Sequence, residues 1–446
     1  MNPSKELDRL RGLNAWAIER AMAMGADGAF VSTQSGLSSK VSYEKNDFSL
    51  VSSHRGGGLS ITIHKDERCG GVGINSFERD EVEGAISRAL DLARPTIPDP
   101  YIALAPQADY LNLETPWDDE LVGMEPEQLL DLLSHLMKAT RVDDRVSLDH
   151  VAVDRSVGVR CISNSEGMVA TDRHAQLNWS LMGMAIEGDD VTGFDYLGNR
   201  ARRLDDANAK MEASARELSS RLLGQLRARP LEEGYRGKVL LPPSLVEELL
   251  VDPLVYHLQG SQIMDGKSRM ADSLGEKVAH ESFTLKDTPH DTELRGATAF
   301  SGEGIPTEPM VLVESGKLKT HVDSLYSSRR RGTRPTGNGG GPHASCLAPG
   351  QFDRNELIGR AGRPVLFPSR FSGNLDPVSG DFSGVAKGAT LEEVGVKPRP
   401  IKEVMISGNI FEILLAPMSV GRELKTDGGY YRLPDILVDE VSVISH

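Results

Sequence analysis

The chain from about residue 235 onward is rich in glycine and proline and lacks long helical patterns. Glycine supplies backbone conformations that other residues avoid, and proline removes a backbone donor, so neither residue favours a helix interior. The 446-residue chain has 45 glycines and 24 prolines. This half therefore predicts strands and turns. Its segment Phe371 to Gly384 combines three glycines, two aspartates, an asparagine and a proline, a composition typical of loops and strand edges that line a surface.

The first 230 residues show a different pattern, in which amphipathic helices alternate with short strands. Apolar residues recur at three-to-four spacing in the helical segments, and alternating patterns bounded by glycine mark the strands. The glycines at 56–58 predict a bulge or a tight hairpin. The predicted helices are 4–24, 79–94, 125–141 and 205–228, and the predicted strands are 30–34, 40–43, 49–54, 59–64, 146–154, 157–163 and 168–187.

These patterns predict an α+β fold in several parts. An N-terminal helix and antiparallel-sheet region, 1–100, is followed by a proline-rich connector, 101–124, since neither a helix nor a central strand accommodates so many prolines. A middle α+β region, 125–230, comes next. The C-terminal domain, 231–446, is predicted to be mostly antiparallel β, with a curved, barrel-like sheet and one capped helix.

The capped helix is predicted to begin at Ser244. In Ser-Leu-Val-Glu, Ser244 can accept from the amide of Glu247 while the Glu247 side chain reaches back, which is a capping box. Pro253 removes a backbone donor inside this helix and is expected to kink it. Hairpins are predicted from 310–313 to 318–322 and from 404–406 to 410–415.

Charge and cysteine content limit the possible functions. The formal net charge of −15 opposes attraction to nucleic acid or an anionic membrane. Cys69, Cys161 and Cys346 are too few and too widely spaced for a disulfide framework, and no apolar run reaches the length of a membrane span. The charged N-terminus does not resemble a secretory signal. We therefore expect a cytoplasmic protein that binds neither nucleic acid nor membrane.

The sequence contains no self-contained zinc motif. Hydrolytic zinc sites need two or three imidazole or carboxylate ligands held together, commonly on one helix. His343 and Cys346 lie three residues apart and could bind a metal jointly or form an imidazole-activated thiolate. An ordinary loop histidine beside a small buried cysteine explains the same pair.

A basic loop precedes that pair. It carries Arg329, Arg330, Arg331 and Arg334, whose guanidinium groups could bind a carboxylate or a phosphate. Solvated charge on a loop is the alternative, because no strand-to-helix context converts the following glycines into a phosphate cradle.

The order of several short motifs along nearly the whole chain resembles the TldD/PmbA family, the so-called modulators of DNA gyrase, and within it the PmbA (TldE) branch. The motifs begin with Arg55-Gly-Gly-Gly-Leu-Ser-Ile, the helix at 76–94, Ile162-Ser-Asn-Ser-Glu-Gly and the segment 267–278. They continue with Gly302-Glu-Gly-Ile-Pro-Thr, Thr336-Gly-Asn, Ser372-Gly-Asn and Gly380-Asp-Phe-Ser.

The resemblance implies an N-terminal α+β region, a C-terminal region of curved antiparallel sheet, and a peptidase complex. In the TldD branch, His-Glu-x-x-x-His on the C-terminal helix and a later cysteine bind zinc; the PmbA branch usually lacks these ligands and serves as the partner subunit. Here Val251 and Asp252 occupy the positions of the first His and Glu, and Tyr256 lies near the second His, with His257 beside it. Valine cannot bind zinc, and Asp252 is one carbon shorter than the glutamate that would act as general base.

The resemblance therefore implies a subunit with no cofactor of its own and no catalytic residues, with zinc expected in a TldD-like partner that cleaves unfolded or leader peptides. The alternative is a homodimeric peptide-binding or regulatory protein without peptidase activity. Glycine-rich edges suit either role, because an extended peptide can add to an exposed strand. The expected peptide-binding or interface residues are Arg329, Arg330, Arg331, Arg334, Asn338, Ser372, Asn374, Asp376 and Asp381.

Overall fold

The computed structural model describes residues 2–44, 47–426 and 429–445. Its helices are α1 (Pro3–Ala23), α2 (Arg79–Ala93), α3 (Asp119–Gly123), α4 (Pro126–Thr140), α5 (Leu204–Gly224), α6 (Pro243–Val246), α7 (Asp252–Leu258), α8 (Gly260–Met264), α9 (Leu325–Arg331), α10 (Arg354–Arg360) and α11 (Ile410–Leu415), with a π-helical turn, Glu247–Val251, between α6 and α7. The fold is mixed α+β, as the sequence predicts.

The strands form two sheets. They are β1 (Gly28–Glu44), β2 (Asp47–Lys65), β3 (Arg68–Ile74), β4 (Val146–Asn164), β5 (Val169–Glu187), β6 (Asp190–Val191), β7 (Asp195–Ala201), β8 (Tyr235–Leu241), β9 (Leu285–Asp287), β10 (Met310–Glu314), β11 (Lys317–Leu318), β12 (Ser345–Leu347), β13 (Val365–Phe367), β14 (Arg370–Leu375), β15 (Asp381–Lys387), β16 (Thr390–Glu392), β17 (Arg399–Pro400), β18 (Val404–Asn409), β19 (Ser419–Lys425) and β20 (Tyr431–Ile444).

The N-terminal sheet is an antiparallel half-barrel that residues from both sides of the connector build together. Its order is β3-β2-β1-β4-β5-β6, with β7 also paired to β5. Alternate residues of β4 point to opposite faces. Val151, Val153 and Val157 pack with apolar side chains of α4 and α5, and Val159 packs with Leu10 of α1. The helices therefore cover one face, and the face that carries Ser156, Gly158 and Arg160 is turned away from them.

A row of glycines crosses the middle of this sheet. Gly36 of β1 lies opposite Gly56 on one side and Gly158 on the other. A Cβ atom on Gly36 would lie 2.8 Å from the carbonyl oxygen of Val157, so the close approach of the strands requires glycine. The bulge or hairpin predicted at 56–58 is wrong: these glycines lie inside β2, with unshifted register. The short strands predicted at 30–34 and 40–43, at 49–54 and 59–64, and at 146–154 and 157–163 are likewise three single strands of 17 to 19 residues.

Within the described residues, the C-terminal sheet has 13 strands and is mixed. Its main path runs β11-β10-β9-β12-β20-β8-β13-β16-β17, and β20 also pairs with β18 and β19. Most pairs are antiparallel, but β12 with β20 and β13 with β8 are parallel. The segment containing α6, the π turn and α7 packs its apolar residues into the core of this domain, among them Leu250, Val251 and Leu254.

Two local predictions in this domain are wrong. The capping box at Ser244 does not form: Pro242 is the N-cap, no side chain caps the helix, and Pro243 occupies the first turn, where its fixed φ and missing N–H cost nothing. Residues 410–415 form α11 and not the second strand of a hairpin, because the Asn409 side chain accepts a hydrogen bond from the N–H of Phe411 and starts a helix.

Among the helices in the described residues, none is both long enough and apolar enough to cross a membrane.

Candidate functional site

The helix at the degenerate zinc-motif positions is fixed by core packing. Val251 is fully buried in the C-terminal core. Directly before Pro253 the backbone forms a π turn, in which the N–H of Asp252 donates to the carbonyl of Glu247 five residues earlier. Proline has no N–H to continue a regular ladder, and wide turns of this kind accommodate such a break. The irregularity expected at Pro253 is thus a π turn.

His257 is buried, and both of its ring nitrogens are occupied by backbone groups. Nε2 lies 2.7 Å from the carbonyl oxygen of Pro377 and donates to it, while Nδ1 accepts from the N–H of Arg269 at 3.1 Å. The ring also packs against Phe411, 5.0 Å between centroids. Burial lowers the pKa of His257, so the neutral form is favoured. A ring with both nitrogens engaged has no lone pair to offer a metal ion.

Three carboxylates, Glu247, Glu248 and Asp252, lie in the π turn or directly after it. The sequence pattern predicts Glu247 only as a capping residue. Burial, and then the charge of Asp252, raise the pKa of Glu247 to about 8. The pKa values of Glu248 and Asp252 are raised by the same desolvation. One Glu247 oxygen is buried and has no hydrogen-bond partner among the described residues. Glu247 is therefore held in the protonated form at neutral pH.

His343 and Cys346 lie in different surroundings. His343 Nε2 is 3.0 Å from the carbonyl oxygen of Gly337. Cys346, on β12, is half-buried, and this desolvation raises the pKa of its thiol; the charged groups that act on it are Arg432, Asp291 and Lys286. Throughout the described ranges, no group of three His, Cys, Asp or Glu side chains is arranged to hold a metal ion.

The basic loop is helical in its first part, and its arginines have separate partners. Arg331 donates to both carboxylate oxygens of Asp323 at 2.8 Å, and this pair is nearly buried. Arg330 bonds the Tyr326 hydroxyl, and Arg329 bonds the carbonyl of Pro100 in the connector. Arg334 is exposed. The four side chains do not converge on one ligand.

Asn338 is a buried structural residue. Its amide donates to Asp287 Oδ2 at 3.0 Å, and its oxygen accepts from the Thr336 hydroxyl. The Thr336-Gly-Asn motif thereby ties this loop to β9.

The 371–384 segment forms a hairpin of β14 and β15 with an exposed outer strand. In the described part of the chain β14 pairs only with β15, and Ser372 and Asn374 are exposed. Asp376 and Asp381 lie at the turn: the N–H of Val378 lowers the pKa of Asp376, and the Asn409 amide lowers that of Asp381. Both carboxylates therefore stabilise the turn in their charged form.

A cavity of about 570 Å³ lies between the uncovered face of the half-barrel and the C-terminal domain. We call it the inner-face cavity. Gly36, Gly158 and their strand neighbours form one wall, and residues 295–298, Phe300, Gly302 and His343 form the other. It brings together His174, Arg160 and Arg295. No motif in the sequence indicates any of these three as a functional residue. Alternation along β4 and β5 gives Arg160 and His174 a shared face, but only the fold brings Arg295 opposite them.

Comparisons with known proteins agree with this architecture. The metalloprotease PmbA of Escherichia coli O157:H7 is 24% identical over 433 residues, covering 96% of this chain and 95% of that protein. A PmbA homologue from Haemophilus influenzae is 24% identical over 445 residues, covering 97% and 96%. The crystal structure of TldE from Thermococcus kodakarensis superposes with a TM-score of 0.85 at 24% identity, covering 98% of this chain and 99% of that one. At this identity the structural likeness establishes the fold.

The C-terminal half gives the family. Residues 234–445 match the family model for the PmbA/TldA metallopeptidase C-terminal domain. This match shows that the C-terminal domain belongs to the PmbA/TldA metallopeptidase family, and the relatives named as metalloproteases are similar to nearly the whole chain.

Proposed function

We propose that this chain is the metal-free subunit of a cytoplasmic, heterodimeric zinc metallopeptidase of the TldD/TldE type that cleaves unfolded or leader peptides. The partner subunit supplies the zinc ion and the catalytic residues. The proposal is carried by the surroundings of two motif positions, Val251 directly before α7 and His257 within it. Val251 is sealed in the core, and both nitrogens of His257 are used by backbone groups.

Repairing the motif would demand more than side-chain replacement. A metal-binding side chain in place of Val251 would be a polar group buried in the apolar core, which costs free energy. His257 would have to give up two hydrogen bonds and its contact with Phe411. Creating a zinc site on this helix would therefore disrupt existing packing and hydrogen bonds, which favours a supporting role for the chain.

The same subunit offers surfaces on which an extended peptide can lie. The outer strand β14 presents a free edge in the described structure, and a peptide can extend the sheet there through main-chain hydrogen bonds. Its side chains at Ser372 and Asn374 are small and polar, so they place little demand on the peptide sequence. The inner-face cavity is a second candidate for peptide contact.

Metal analysis and reconstitution test the proposal. The purified chain, alone and mixed with a His-Glu-x-x-x-His homologue from the same organism, is assayed for bound zinc and for cleavage of a fluorogenic unfolded peptide. We expect zinc and cleavage only in the mixture, with a stable complex of the two chains. Chelator-sensitive cleavage by this chain alone would refute the proposal.

The assay also tests the alternative of a homodimeric peptide-binding protein. Peptide binding by a dimer of this chain, with no complex and no cleavage after mixing, would favour that alternative.

A further inference from the structure

The uncovered face of the half-barrel carries polar side chains that line the inner-face cavity. On β4 and β5 the residues directly opposite each other include Gly158 with His174 and Arg160 with Asp172. Because side chains alternate along a strand, these four residues share the face turned away from the helices. Of the described residues that line the inner-face cavity, Arg160 and Arg295 are basic and Asp172 is acidic.

The arginines of this cavity are available for a ligand. No ion pair of Arg160 or Arg295 is found within residues 2–44, 47–426 and 429–445. Arg160 instead lies over the Phe300 ring, 5.1 Å from its centroid, and Arg295 lies over the Tyr430 ring at 4.7 Å. Aromatic faces hold a guanidinium group in position and leave its N–H edges free to bind an anion.

A third arginine, Arg202, is hydrogen-bonded to the loop that carries Arg295. Arg202 donates to the carbonyl of Thr292 at 3.0 Å and so links the end of the half-barrel to this loop. Burial lowers the pKa of Arg202, while the charges of Asp172 and Glu293 oppose that effect. The basic charges are therefore kept close together at a fixed junction of the two domains.

His174 lies beside these arginines in the cavity. Its Nε2 is 3.2 Å from the Ser156 hydroxyl, and its ring lies over Gly158, where a Cβ atom would be only 2.6 Å from the ring. Desolvation lowers the pKa of His174; Arg202, Arg160 and Arg295 lower it further, and Asp172 opposes them. An anion bound among these groups would relieve that repulsion.

We propose that the inner-face cavity binds a carboxylate of the peptide substrate through Arg160 and Arg295. Clustering Arg160, Arg202 and Arg295 costs electrostatic energy that a bound anion offsets. A guanidinium group binds a carboxylate with two parallel N–H donors.

This inference rests on the proposed function for the identity of the ligand as a peptide. The carboxylate is either the C-terminal one or that of an Asp or Glu side chain, and both have the same chemistry. Equilibrium binding to this chain alone tests the inference. The proposed function is tested separately by cleavage in the two-chain mixture, so one can fail without the other.

Three hexapeptides of one neutral, unstructured sequence, each with an uncharged coumarin label, serve as probes. The first has a free C-terminal carboxylate, the second a C-terminal amide, and the third the amide plus one internal glutamate. Fluorescence anisotropy of the full-length chain at low salt measures their affinities. We expect a carboxylate to strengthen binding about tenfold, the usual scale for a charge-assisted hydrogen bond.

The source of the carboxylate follows from which peptide binds more tightly. Stronger binding of the first peptide assigns the cavity to a chain terminus, and stronger binding of the third assigns it to an acidic side chain. Equal affinity of all three, or no binding of any, would overturn the inference.

Variants locate the effect. Arg160→Gln and Arg295→Gln should each remove most of the carboxylate preference. Arg173→Gln is the matched control, because it makes the same charge change one residue from Asp172 on the opposite face of β5, where Arg173 lies over Trp117. Circular dichroism checks folding, and Arg295, exposed on a loop, is the variant least coupled to the core. Retention of the preference in both test variants, or its equal loss in the control, would contradict the assignment.

Discussion

His257 Nε2 and the carbonyl oxygen of Pro377 lie 2.7 Å apart, across 120 residues of sequence. The bond joins α7, where the related zinc peptidases are expected to carry their ligands, to the turn of the β14–β15 hairpin. His257 therefore ties α7 to the turn of this hairpin, and both of its ring nitrogens are engaged by backbone groups.

Replacing His257 with alanine should destabilise the protein without changing its metal content. The variant loses two hydrogen bonds and leaves a cavity beside Phe411, which together cost about 2–4 kcal/mol. Urea unfolding measures the loss, and elemental analysis measures zinc in the wild type and in the variant. A fall in bound zinc at unchanged stability would contradict the structural role.

Replacing Glu247 with glutamine should stabilise the protein at alkaline pH. The folded-state pKa of about 8 exceeds the ordinary glutamate pKa of 4.5, so the folded state binds more protons between these values and stability falls as pH rises through them. Glutamine removes this penalty, which is at most about 3 kcal/mol at pH 7. The free energy of unfolding of variant and wild type should converge near pH 4.5 and diverge toward pH 8.

The exposed Glu232 supplies the control for that measurement. Its side chain is 90% exposed, and its Oε1 atom comes no closer than 3.8 Å to Nη1 of Arg399. Glu232→Gln should shift the unfolding free energy little at either pH. An unchanged pH profile in Glu247→Gln would show that this carboxyl is ionised in the folded protein.

Substitutions of Arg331 and Arg334 should distinguish an arginine that stabilises the fold from one that contacts a ligand. Arg331→Met leaves the buried Asp323 with its hydroxyl donors but without its charged partner and should cost about 3 kcal/mol. Arg334→Met, at an exposed position, should change stability by less than about 0.5 kcal/mol. Thermal and urea unfolding compare them. An effect of Arg334→Met on peptide affinity alone would support its predicted place in the peptide-binding surface, and equal stability of both variants would contradict the ion pair.

Gly36→Ala should destabilise the half-barrel, because its Cβ atom would lie 2.8 Å from a backbone oxygen that cannot move independently. We expect a loss of about 1–3 kcal/mol. Gly73→Ala, on β3 of the same sheet with no atom within 4 Å of the new Cβ, should be neutral or slightly stabilising. Urea unfolding of the two variants tests the glycine row, and equal stability would remove the need for glycine at Gly36.

Local pattern was sufficient where local physics decides the outcome. The amphipathic helices near 4–24, 79–94, 125–141 and 205–228 occur within a few residues of their predicted ends, because apolar spacing fixes which face is buried. Residue type alone also shows that Val251 and Tyr256 are neither imidazole nor carboxylate ligands, and a metal-free chain stays a prediction. The resemblance to the TldD/PmbA family rested on motif order along the chain.

Tertiary structure decided the rest. Glycines that locally predict a break instead lie inside long strands, since a neighbouring strand approaches too closely for a side chain. The partner of His257, and the meeting of Arg160 with Arg295, depend on segments far apart in sequence. Sequence determined which chemical groups the chain possesses, whereas packing of distant strands and loops decided which of them are buried, paired or left open to a ligand.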